Sequence, residues 1–98
     1  MKEVALKQLV VGMTAMMKVG SPVRMWMRNL RSGKRLLIPA HYAPLSEAVV
    51  HSQFGLLYLE VKVARVMLPY AIVSHHNGRG WVRLWIDTRE TALFAVEG

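Results

Sequence analysis

Three stretches of this chain alternate apolar and polar residues with a period of two, and that periodicity restricts the fold more than any other feature. Val23, Met25 and Met27 alternate with Arg24, Trp26 and Arg28; Leu57, Leu59, Val61 and Val63 with Tyr58, Glu60 and Lys62; Val82, Leu84 and Ile86 with Trp81, Arg83 and Trp85. Successive side chains of a strand point to opposite faces, so each stretch reads as a half-buried strand with its aliphatic row inward. Turn signals bound these strands. Asn77-Gly78 is a favoured hairpin pair because both central positions of a type I′ turn need positive φ, and Arg79-Gly80 permits a longer loop or a bulge. Arg31-Ser32-Gly33-Lys34 supplies another turn, after which Arg35 to Ile38 returns as a short strand. Pro39 lacks the N–H that a ladder needs, so that strand stops there or lies at a sheet edge. Leu68-Pro69-Tyr70 bends or breaks the chain, and a last strand is expected from Thr91 to Val96.

Two segments read as helices. Between residues 3 and 18 the apolar positions Leu6, Leu9, Val10, Met13, Met16 and Met17 suit one face of an amphipathic helix, with Lys7, Thr14 and Lys18 outside it. Gly12 and the Val10-Val11 pair keep a strand as the competitor, and Gly20-Ser21-Pro22 ends the element either way. Residues 43–55, APLSEAVVHSQFG, read as a short helix with Pro44 in its first turn, Glu47 near its positive end and Gly55 just past its last turn. The expected fold is therefore α+β: a small, mainly antiparallel sheet of four to six strands, an N-terminal helix and one short central helix. Residues 1–98 are read as a single domain.

Of the 98 residues, 53% are apolar. A domain of this size hides only about 60–70% of the surface its unfolded chain exposes, so apolar side chains stay outside for a partner or a second copy to cover. The absence of cysteine excludes a disulfide framework and a thiolate metal site. No apolar run approaches the roughly 20 residues that span a bilayer, and Leu36 to Ala40 is cut by its own proline. Lys7-Gln8 and Lys18 divide the first residues, so no signal peptide is expected and the expected compartment is the cytoplasm. The net charge is +7, all of it from the first half: no acid stands between Glu3 and Glu47, where seven cations do, whereas five acids balance five bases from Glu47 onward. Such asymmetry suits a polyanion or an acidic protein surface, and the plainer reading is solubility for an apolar chain.

Candidate binding residues follow from these patterns. If the rows Arg24-Trp26-Arg28 and Trp81-Arg83-Trp85 share one face of a sheet, guanidinium groups and indoles alternate across a platform on which bases stack and phosphates are held. The same residue types also anchor protein interfaces, or pair with each other as structure. The basic turn adds Arg31, Lys34 and Arg35 as a phosphate-reaching finger, with Arg79 in the later loop, although Gly33-Lys34 lacks P-loop spacing. His75-His76 cannot chelate one ion from adjacent strand positions, and no nucleophile, triad or carboxylate pair accompanies any histidine. No enzyme, metal or cofactor is expected. The reading is a small basic binding protein that docks on and modulates a complex handling nucleic acid, of the kind phages and other mobile elements carry as accessory factors. The alternative is a module that binds nucleic acid directly through its Arg/Trp faces and basic turn.

Overall fold

The computed structural model describes residues 2–43, 50–78 and 80–95. It contains strands β1 (Lys2–Glu3), β2 (Thr14–Lys18), β3 (Pro22–Arg28), β4 (Arg35–His41), β5 (Val50–Gln53), β6 (Leu56–Met67), β7 (Tyr70–His76), β8 (Trp81–Asp87) and β9 (Leu93–Ala95). Eight of them form one antiparallel path, β1-β9-β2-β6-β7-β8-β3-β4, and β5 pairs with the first part of β6. Among the described residues the sole helical element is a 3-10 turn at Leu6–Gln8, and no helix is long and apolar enough to cross a membrane.

The α+β expectation is thus overturned: the described residues are nearly all sheet. The N-terminal helix is replaced by β1, the 3-10 turn and β2. Gly12 takes φ +94°, and its N–H donates to the Val63 carbonyl (2.8 Å) while the Val63 N–H donates to Met13 (2.9 Å), so these backbone groups go to the sheet instead of a helical ladder. Ala15, Met16 and Met17 are all buried because β2 is covered on both faces. That removes the polar-apolar alternation and leaves an apolar count that mimics a helix. The central helix fails for a different reason. Val50–Gln53 is strand and Phe54-Gly55 is a two-residue turn with φ of 52° and 76°. A glycine that accepts left-handed φ serves a hairpin as readily as a helix end. Residues 44–49 of that expected helix lie outside the described residues.

The sheet has to coil. β2 and β3 stand four places apart in the path, about 19 Å in a flat sheet at ~4.8 Å per strand, while the link from Lys18 to Pro22 reaches about 14 Å. Hydrogen bonds mark the seam: Gly20 N–H to the Tyr42 carbonyl (2.7 Å) and the Thr91 hydroxyl to the Pro22 carbonyl. A bulge between Val63 and Arg65 bends β6, so that its first half pairs with β2 and β5 and its second half with β7. The coiled inner face holds the core, in which Met17, Leu59, Val61, Val73, Leu84 and Ile86 are fully buried. The aliphatic rows of all three alternating stretches supply it, with Val23 buried and Met25 packed against the cluster. Leu57, by contrast, is exposed. β4 continues through Pro39 to His41 as the outer strand of the path, where a missing N–H faces no neighbour. The Leu68-Pro69 bond joining β6 to β7 is cis.

His75 is an inward member of β7, 2% exposed. Its ring packs edge-on against Tyr42 at 5.1 Å, and the Tyr42 hydroxyl hydrogen-bonds Nε2. Burial pushes the imidazole below its ordinary pKa and the phenol above its own, so the neutral pair is favoured. Nδ1 is buried and makes no hydrogen bond among the described residues. A histidine whose folded pKa is lowered stabilises the fold fully above its unfolded value, about 6.5, and that contribution fades as pH falls below it. The expected urea midpoint therefore drops between pH 7 and pH 5, and the dependence flattens in His75→Gln; an unchanged slope in the variant would assign the effect to other groups.

Candidate nucleic-acid interface

The outward face of β4, β3, β8 and β7 is continuous. One row runs Pro39, Arg24, Trp85, Ile72 across the four strands, each residue in register with the next. Side chains in register lie on the same face, so Arg24, Trp26 and Arg28 of β3 stand on the side of the sheet that carries Trp81, Arg83 and Trp85. Trp26 and Trp85 meet edge to face, with ring centres 6.3 Å apart, and His76 meets Trp81 the same way at 5.5 Å. The platform is open: Trp81 is 67% and Trp26 48% exposed, while Trp85 is half-buried. Beside Trp85 a groove of about 270 Å³ is lined by Arg24, Pro39, His41 and Glu90.

Charge on this face is managed by Tyr70 and Arg89. The Arg24 guanidinium lies 5.8 Å from the centre of the Tyr70 ring and that of Arg89 5.9 Å, so the phenol orients both cations. Arg89 also grips Asp87 with both arms, Nε to Oδ1 at 2.9 Å and Nη2 to Oδ2 at 2.7 Å. Those bonds hold the Asp87 carboxyl down at about pKa 2 and offset most of its charge, and Arg24 adds a weaker attraction to the same carboxylate. The pairing therefore stabilises the fold above about pH 4 and is lost as pH falls toward 2.

The ladder between β3 and β8 is a single pair long, so the β3–β4 hairpin extends past the body of the sheet as an arm. Arg28 and Arg35 pair across it, and Arg31 and Lys34 occupy its tip; all four are exposed. The tip is built by local hydrogen bonds. Asn29 Oδ1 accepts the N–H groups of Arg31 (2.9 Å) and Ser32 (3.3 Å), Gly33 takes φ +70°, and its N–H donates to the Asn29 carbonyl at 2.8 Å. An asparagine that binds the backbone two residues on fixes such a turn, so the cations sit on a defined ribbon.

No family model, curated protein or solved structure matches this chain.

Of the ten residues singled out from sequence, six thus lie on the platform and three, Arg31, Lys34 and Arg35, on the arm; Arg79 lies outside the described residues. Asn77 and Gly80 close its loop, Asn77 N–H to the Gly80 carbonyl (3.1 Å) and Gly80 N–H to Asn77 Oδ1 (3.0 Å), a longer link than a two-residue type I′ turn. Sequence reasoning missed Tyr70, His76, Lys62 and Arg89. Tyr70 and His76 share the outward parity of β7, but the alternation there is masked by the buried Ile72, so only the register with β8 reveals their face. The two adjacent histidines part as expected for a strand, His75 inward and His76 outward.

Proposed function

We propose that this protein binds single-stranded nucleic acid directly, bases stacking on Trp26, Trp81 and Trp85 while Arg28, Arg83 and the arm cations hold the phosphate backbone. The observation that carries this reading is the shared, exposed face of the two Arg/Trp rows. Indoles in solvent and guanidiniums without carboxylate partners are what a polyanion with flat bases requires.

The test is a salt series. Trp fluorescence should be quenched on adding a single-stranded oligonucleotide, and affinity should fall about tenfold per tenfold rise in salt for each one to two phosphates neutralised. A signal insensitive to salt, or the lack of any quenching, would sink the proposal.

A second reading, docking on a protein of a nucleic-acid-handling complex, is favoured by the β5–β6 turn. Phe54 holds φ 52° while 90% exposed, with Leu56 and Leu57 exposed beside it. A bulky residue kept left-handed in solvent is costly and argues for a use. Phe54→Asn would relieve the turn and leave oligonucleotide binding intact, while abolishing capture of such a complex.

A further inference from the structure

β6 leaves β7 after the pair Lys62–Ser74 and turns to β5, so the wall of the sheet opens between the first half of β6 and the end of β7. The opening is a cleft of about 200 Å³ lined by Glu60, Lys62, Ser74, His75, His76 and Trp81 among others. Two features make it unlike a surface dent. Glu60 is half-buried, and no ion pair holds it among the described residues. Trp81, the most exposed indole of the platform, forms part of the rim.

The lone carboxylate is the informative group. On a face built of cations it repels phosphate, so it contributes nothing to backbone binding. It does suit the N–H groups of a base. Glu60 and Lys62 stand two residues apart on one side of β6, about 6.6 Å at a strand's rise, with opposite charge. Guanine presents adjacent imino and amino N–H groups to one side and the acceptors O6 and N7 to the other, and Lys is a common partner of those acceptors. The cleft is below the ~300–1,000 Å³ of drug-sized pockets and has room for one ring system.

Resting on the binding mode proposed above, we infer that this cleft receives one guanine of the bound strand, Glu60 accepting its imino and amino N–H groups, Lys62 facing its acceptors, and Trp81 stacking at the rim.

The test compares three ten-nucleotide DNA strands by anisotropy: all thymine, thymine with one central guanine, and thymine with hypoxanthine at that place, which lacks the amino group. The guanine strand should bind roughly ten- to a hundredfold tighter than the all-thymine strand, and hypoxanthine should lose most of that gain. Glu60→Gln should erase the preference while leaving thymine binding no weaker, and an unaltered circular-dichroism spectrum checks the fold. Equal affinity for all three strands, or a preference that survives Glu60→Gln, overturns the guanine site and leaves strand binding standing. Failure of all three to bind overturns the strand-binding proposal and the guanine site with it.

Discussion

Replacing Trp26 and Trp81 together by alanine lowers affinity for a labelled single-stranded oligonucleotide about a hundredfold. Each stacked base contributes on the order of 1–3 kcal/mol, and the two indoles are the most exposed of the platform. Removal of an exposed side chain changes stability little, commonly within ~0.5 kcal/mol, although the edge contacts to Trp85 and His76 raise that figure somewhat here. Loss of binding with a melting temperature near that of the parent is therefore the expected pair of results, read by anisotropy and thermal unfolding. A double variant that binds within twofold of the parent removes the platform from the interaction. Reversing the charge of the arm should act differently. Its cations change the salt slope, whereas the indoles change affinity at every salt concentration.

Leu84→Ala has the largest expected effect on the fold. Leu84 is fully buried, in register with Val73, at the centre of the coiled sheet. Truncating a buried leucine costs about 2–5 kcal/mol through lost transfer energy and the cavity left behind. A domain of this size has on the order of 5–15 kcal/mol in total, and each kcal/mol moves its melting temperature by about 4–8 °C. A loss of roughly 15 °C is expected in a thermal melt followed by near-ultraviolet circular dichroism. Leu30→Ala is the control, since Leu30 is 95% exposed at the arm tip and should move the melt by a degree or two at most. A Leu84→Ala protein that melts with the parent would mean that the sheet does not close over this row.

Trp81 and Leu84 lie on opposite faces of β8, and the sequence bears on strand faces unequally. The alternation over Trp81–Ile86 assigns sides to both rows because each has a uniform character: aliphatic inward, aromatic and cationic outward. β2 carries no such contrast. Thr14-Ala15-Met16-Met17-Lys18 buries residues on both faces, Met16 against the Phe94 side and Met17 in the core, so its periodicity is neither two nor 3.6. Only the pairing of β2 with both β6 and β9 makes it a strand, and pairing partners distant in sequence leave no local trace. The same limit applies to the site. The composition of the two Arg/Trp rows is local and legible, but their union depends on one register pair, Arg24 with Trp85, sixty residues apart along the chain. The cleft beside Trp81 is less legible still, because it exists where two strands part company.

The two ends of the strand path also bear on how such an apolar chain behaves at high concentration. An unpaired strand edge is a template for a neighbouring molecule, and long flat edges grow fibrils. Here one end is β1, two residues long, and the other is β4, which places Pro39 mid-strand between Arg35 and His41. An incoming strand would find a missing donor and a cation at β4, and almost no length at β1. That proline thus acts between molecules as well as within one, opposing runaway strand-by-strand growth at the edge that carries the basic arm.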